Sequence, residues 1–153
     1  MKTNKLGILS IKLQNQPLDI NIIKLVEDIS NTCPDKEICI FNSYCNIALP
    51  NKVPVLHLVH AKFFYGDLII TDMVSALMSQ KFPNIQNIYF YSNTIPWINQ
   101  QNTMYSQWDD LINSDKIKII ASNQQIYDIF TICYKQPIGI SENLKYEELD
   151  QLI

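Results

Sequence analysis

PVLHLVHAKFFYGDLIITDMVSALMSQKFPNIQNIYFYSNTIPW, residues 54–97, carries the alternation that decides the fold. Pro54–Phe64 reads as an apolar strand and Gly66 breaks it. Asp67–Thr71 is a short apolar segment, and Asp72 stands where a capping carboxylate opens a helix that runs through Gln80. Pro83 and Asn84 stop that helix, and Asn87–Ser92 (NIYFYS) is an aromatic-rich strand. A polar turn then reaches Pro96 and Trp97. The apolar runs are continuous rather than alternating, the pattern of strands covered on both faces in a parallel sheet.

The flanks repeat this grammar. Upstream, Lys5–Leu13 is a strand, and Leu18–Cys33 is a helix whose Leu18, Ile22, Leu25, Val26 and Ile29 share one face. Pro34 closes it, and Glu37–Asn42 is a short apolar strand. Downstream, Thr103–Ser114 is helical, Lys116–Ala121 is a strand, and Asn123 caps a helix over Gln124–Tyr134. Pro137–Ile140 is a last short strand, and Asn143 caps a final helix, Leu144–Leu152, with Glu147 as its capping-box partner. About six strands alternate with five helices. The prediction is an α/β chain: one Rossmann-like domain over residues 1–153, with a mostly parallel sheet and helices on both faces.

Size and charge narrow the partners. At 153 residues one domain is the natural division, and it buries enough surface to need no disulfide or metal staple. Net charge is −3, and all 12 basic residues are lysine. Arginine supplies the bidentate contacts to phosphate and guanine, so an acidic chain without it is a poor binder of nucleic acid. No apolar run approaches the ~20 residues of a membrane span, and the lysine-led start is followed by no signal-type core. Cys33, Cys39, Cys45 and Cys133 form no Cys-x-x-Cys pair. They read as reduced thiols in a cytoplasmic protein.

In an open α/β sheet, ligands bind beyond the carboxyl ends of the strands. The polar residues expected there are Lys12, Asn15, Asn42, Ser43, His60 and Lys62 in the first half. Ser92, Asn93, Thr94, Ser122, Asn123, Ser141, Glu142 and Asn143 follow in the second. Asn and Ser are equally the ordinary residues of turns and caps. His57 and His60, three apart on a strand, point to opposite faces and make no shared metal site. His57, between leucines, reads as a packing histidine, whereas His60 is the better site candidate. Trp97 can stack on a ring-shaped ligand or form a hydrophobic lid over the sheet end. No glycine-rich loop follows the first strand, which argues against a P-loop or dinucleotide site, and no metal site is expected. The side chains that carry the binding hypothesis are His60, Asn93, Trp97, Ser122 and Glu142.

The segment from about Val53 to Ile132 resembles the amino-terminal, acceptor-side half of GT-B-type glycosyltransferases, in particular the DNA β-glucosyltransferases of tailed phages. The likeness lies in order and spacing. An apolar run ends at Phe63-Phe64-Tyr65-Gly66, a helix and the aromatic strand Ile88–Tyr91 follow, and then come the turn Asn93–Trp97 and the segment Ile117–Asn123. The resemblance implies a phage or viral origin and a site in that turn. Where those enzymes carry an aspartate as general base, this chain has Asn93, and an amide takes no proton at neutral pH. The donor-binding half is missing from this length of chain. The expectation is a half-domain that binds a ligand or partner at the carboxyl rim and is inactive alone. A nucleotide-sugar would be bound only with a second domain. The alternative is a non-catalytic protein-interaction or virion-associated module, as a homo-oligomer or with a protein partner, in the host cytoplasm.

Overall fold

The computed structural model describes residues 4–11, 17–43, 53–95 and 105–153. In it β1 (Lys5–Leu9) leads into α1 (Pro17–Thr32), β2 (Glu37–Asn42) and β3 (Val55–His57). Then follow β4 (Gly66–Ile70), α2 (Met73–Ser79), β5 (Ile85–Ser92), α3 (Tyr105–Ile112), β6 (Ile117–Ala121), α4 (Gln124–Cys133), β7 (Gly139–Ile140) and α5 (Tyr146–Leu149). The seven strands form one sheet in the order β3-β2-β1-β4-β5-β6-β7. Every pairing is parallel. The fold is a Rossmann-like α/β arrangement, in which strands are added outward in one direction from β1 and in the other from β4.

Two apolar layers hold the sheet. Leu6, Ile8, Ile38, Ile40, Ile69, Tyr89, Tyr91 and Ile120 face α1 and α5, through Ile22, Leu25, Val26, Ile29 and Leu149. Leu9, Phe41, Leu68, Ile70, Ile88, Phe90 and Ile119 face α2, α3 and α4, through Met73, Ala76, Trp108, Leu111, Ile126 and Phe130. Strands β1, β2, β4, β5 and β6 therefore bury both faces, which explains their unbroken apolar sequences, whereas the edge strand β3 is largely exposed. Trp108 is the largest fully buried side chain, edge-on to Phe90 at 5.4 Å and to Phe130 at 6.3 Å. Helix starts follow the residues that favour them. Pro17 opens α1, where a missing N–H costs nothing. The Asp72 carboxylate accepts the Ser75 N–H at 2.8 Å, and the Asn123 side chain accepts the Ile126 N–H at 2.9 Å.

The structure corrects the sequence reading in four places. Among the described residues the sheet has seven strands, not about six, and every pairing is parallel. The run 54–64 is not one strand: β3 stops at His57, and Leu58–Phe63 forms 3-10 turns. Its partner β2 ends at Asn42, opposite His57, so no ladder exists beyond that point. The exposed His57 ring caps those turns, its Nδ1 accepting the Val59 N–H at 3.3 Å, and is not a packing histidine. The segment after Gly66, read only as a short apolar stretch, is β4, a central strand between β1 and β5. Finally, Asn143 caps no helix. It lies inside a 3-10 turn (Glu142–Leu144) with φ 58°, Leu144 has φ 57°, and α5 begins only at Tyr146. Glu147 is not a capping partner; instead the Glu148 carboxylate accepts the Glu142 N–H at 2.7 Å.

Cys33, Cys39 and Cys133 are free thiols. No helix among the described residues is long and apolar enough to cross a membrane.

Candidate functional site

Because β5, β6 and β7 run parallel, their carboxyl ends come to one rim. Ser92 stands beside Ala121, and Ala121 beside Ile140. The residues that follow each strand are therefore neighbours in space: Asn93 after β5, Ser122 and Asn123 after β6, Glu142 and Asn143 after β7. The first turns of α1 supply the facing wall through Pro17, Leu18 and Asn21. Together with Tyr91 these residues line a cleft of about 300 Å³, at the small end of the range for ligand pockets.

Backbone and side-chain hydrogen bonds fix this rim. The Ser122 N–H donates to the Ser92 carbonyl at 3.0 Å, and the Ser141 N–H to the Ala121 carbonyl at 2.9 Å. Buried Ser92 turns the chain by donating its hydroxyl to the Thr94 carbonyl at 2.7 Å. The Asn21 amide donates to the Asn143 side-chain oxygen at 3.3 Å, joining α1 to the strap after β7. Tyr91 is buried beneath that strap. Burial raises the pKa of its phenol; hydrogen bonds from the Asn143 and Leu144 N–H groups work the other way. The turn over Tyr91 holds two residues in the left-handed region, Asn143 at φ 58° and Leu144 at φ 57°.

The chemistry of the cleft is that of amides, hydroxyls and one carboxylate. Among its described lining residues there is no lysine, and the chain has no arginine. Glu142 supplies a negative charge where a phosphate would need a positive one. Asn93 and Glu142 are exposed to solvent, and Ser122 is partly so. The set can donate and accept hydrogen bonds around an uncharged hydroxyl-bearing ligand. Asn93 is an amide and provides no proton acceptor at neutral pH. Among the described residues no three His, Cys, Asp or Glu side chains are grouped as a metal site.

Asn93, Ser122 and Glu142 of the predicted site residues come together in the cleft. His60 does not. It is exposed in the 3-10 turns after β3, at the far edge of the sheet, and β2, β1 and β4 lie between β3 and β5. At about 4.8 Å per strand, that places the two strands roughly 19 Å apart. Trp97, like Lys12 and Asn15, lies outside the described residues. Sequence reasoning missed Tyr91, Pro17, Leu18 and Asn21. Tyr91 was hidden in an apolar run. Asn21 carried one signal, its place one turn into a helix that starts at the rim.

Comparison with family models, with curated proteins and with solved structures returns no match for this chain.

Proposed function

We propose that this protein is a ligand-binding Rossmann-like domain whose carboxyl-rim cleft takes a small uncharged hydroxyl-bearing molecule such as a sugar. The observation that carries this reading is the convergence of Asn93, Ser122 and Glu142 from three strand ends onto the first turns of α1. The absence of a lysine from the described lining, with Glu142 present, favours a neutral ligand over a phosphate. The resemblance of residues 53–132 to the acceptor half of GT-B glycosyltransferases supports the same ligand class. On that reading the chain performs no transfer alone, since Asn93 stands in place of the base. A nucleotide-sugar site belongs to a second domain or chain.

The test is a thermal-unfolding titration with glucose, ribose, inorganic phosphate and UDP-glucose. An uncharged sugar at ten times its Kd stabilises by about 1.4 kcal/mol, or roughly 3–5 °C for a chain of this size. Asn93→Ala and Ser122→Ala should each remove most of that gain. A flat response to every sugar refutes the reading. A larger gain with phosphate, or with UDP-glucose than with glucose, overturns the neutral-ligand assignment.

A second reading, a non-catalytic interaction module, is favoured by large apolar side chains left in solvent on α2 and α4, which share a sheet face. They are Val74 and Met78 on α2, and Ile132, 83% exposed, on α4. Light scattering that finds a stable homo-oligomer, together with a flat sugar titration, selects it.

A further inference from the structure

Unfavourable features gather where the chain leaves β7. Ser141 is fully buried, and its hydroxyl has no hydrogen-bond partner among the described residues. A desolvated hydroxyl left unpaired destabilises the arrangement that buries it. Asn143 and Leu144 then follow in the left-handed region, at φ 58° and 57°. Asparagine tolerates that conformation; in leucine the Cβ is crowded against the backbone. Each of these features is relieved if residues 142–145 lift off the sheet.

The two ends of this strap are firm and its middle is held lightly. At one end the Ser141 N–H donates to the Ala121 carbonyl at 2.9 Å, continuing the ladder of β6 and β7. At the other, buried Tyr146 opens α5, its hydroxyl 3.0 Å from the Cys33 thiol and donating to the Asp150 carboxylate at 3.1 Å. Between them only the Leu144 side chain is buried; Glu142, Asn143 and Lys145 are exposed. The side-chain ties are at the surface. Asn21 donates to Asn143 at 3.3 Å, the Glu148 carboxylate accepts the Glu142 N–H at 2.7 Å, and the Lys145 ammonium stands 3.7 Å from Glu148. Water competes for such contacts, and segments held by them open locally. The Asn143 and Leu144 N–H groups, now turned to Tyr91, can be solvated when the strap lifts.

What the strap covers belongs to the cleft. A Cβ on Gly139 would meet Leu152, on the α1 and α5 side of the sheet, while Ile140 packs into the opposite layer. By alternation Ser141 returns to the first side, the side of Tyr91 and of the cleft wall formed by α1. The Ser141 hydroxyl therefore stands on the same face as Tyr91, one strand over from Ser122, with Glu142 and Asn143 of the cleft lining passing above it.

We infer that residues 142–145 form a lid on the carboxyl-rim cleft, hinged at Ser141 and Tyr146, which lifts to bring the Ser141 hydroxyl and the covered part of Tyr91 into the ligand site. The lid rests on the reading of that cleft as a ligand site for its purpose, but its motion needs no ligand. A ligand that bonds to Ser141 satisfies the hydroxyl that the closed strap leaves unpaired, so it favours the lifted state.

The test is thiol labelling of the full chain. Cys33→Ser, Cys39→Ala, Cys45→Ser and Cys133→Ser give a cysteine-free background, into which Ser141→Cys or Ser79→Cys is placed. Both serines are fully buried, and Ser79 lies in α2, away from the strap. N-ethylmaleimide labelling is followed by mass spectrometry. The thiol at 141 should react roughly 100-fold or more faster than that at 79, at a rate nearly flat in dilute urea, whereas labelling at 79 should steepen with urea as global unfolding does. Leu144→Ala keeps the crowded backbone and removes the buried anchor, so it should raise the ratio of the two rates about tenfold. In the unsubstituted chain, nuclear relaxation dispersion should find millisecond exchange at residues 142–145 and none at 146–149; this decides the matter if the cysteine-free background does not fold. Equal labelling rates or equal urea slopes overturn the lid, as does a ratio unmoved by Leu144→Ala. Exchange absent from 142–145, or running at one rate through α5, overturns it too. Fast labelling at 141 beside a flat sugar titration upholds the lid and refutes the ligand reading alone.

Discussion

Gly66→Ala should be among the most damaging single-methyl additions this fold can receive. Gly66 opens β4 with φ +152°, in the half of backbone space that side chains avoid, and the β4–β5 register shifts just after it. A Cβ there would lie 2.6 Å from the Lys5 carbonyl oxygen and 2.9 Å from the Lys5 Cβ. The carbonyl is backbone of the neighbouring strand, so relief requires β1 and β4 to separate. Two costs add. A side chain at positive φ costs about 1–2 kcal/mol, and overpacking costs about 1–3 kcal/mol. A loss near 3 kcal/mol corresponds to roughly 6–12 °C in Tm for a chain of this size. Gly139→Ala is the control. Its new methyl meets only the Leu152 side chain, whose flexible end can move, so it should cost below ~1 kcal/mol. Urea unfolding followed by circular dichroism gives the comparison, with the midpoint falling and the slope unchanged. If Gly66→Ala lies within ~0.5 kcal/mol of the parent, or no lower than Gly139→Ala, the account of this turn fails.

Trp108→Ala removes a fully buried indole packed edge-on against Phe90 and Phe130, and should cost about 3–5 kcal/mol in the same urea assay. Asp72→Ala removes a carboxylate that accepts the Ser75 N–H at 2.8 Å and the Ser75 hydroxyl at 2.5 Å. It should lower stability by ~1 kcal/mol. Asn143→Gly relieves a left-handed φ of 58° but removes the Asn21–Asn143 hydrogen bond at 3.3 Å, so the two effects should offset to within about 1 kcal/mol; a larger loss contradicts that reading. Stability should fall as pH rises from 9 towards 12. Unfolded Cys39 ionises near its ordinary value of 9.0, while in the folded chain burial holds it protonated until about 12. The unfolded state then binds fewer protons, and each pH unit costs at most ~1.4 kcal/mol from this group. Unfolding free energies of the parent and of Cys39→Ala at pH 7, 9 and 10 check this. The parent should lose more stability than the variant, and parallel curves would refute the assignment.

Much of the architecture was legible along the chain, because it depends on local repeats. Ile22, Leu25, Val26 and Ile29 reveal α1 by helical spacing, and all four are buried against the sheet. Asp72 and Asn123 announce their helix starts through a side-chain oxygen three residues before the N–H it accepts. Reading failed where a distant partner sets the outcome. The run 54–64 is strand-like throughout, yet its ladder ends where β2 ends at Asn42. Asn143 has the composition of a cap and the conformation of a left-handed turn, its side chain bonded to Asn21 of the distant α1.

The candidate site divides in the same way. Asn93, Ser122 and Glu142 could be placed at the carboxyl rim because each follows a recognisable strand, and in a parallel sheet all such positions share one side. The sequence held nothing to say that those three lie together while His60 stands across the sheet. That follows from the order β3-β2-β1-β4-β5-β6-β7, which long-range packing of helices on the two faces selects. Nor could it foretell the strap over Ser141, whose ends are held by Ala121 of β6 and by Cys33 beyond α1, joined only once those elements pack together. Periodicity is written between near neighbours; the adjacency of strand ends is a property of the assembled sheet.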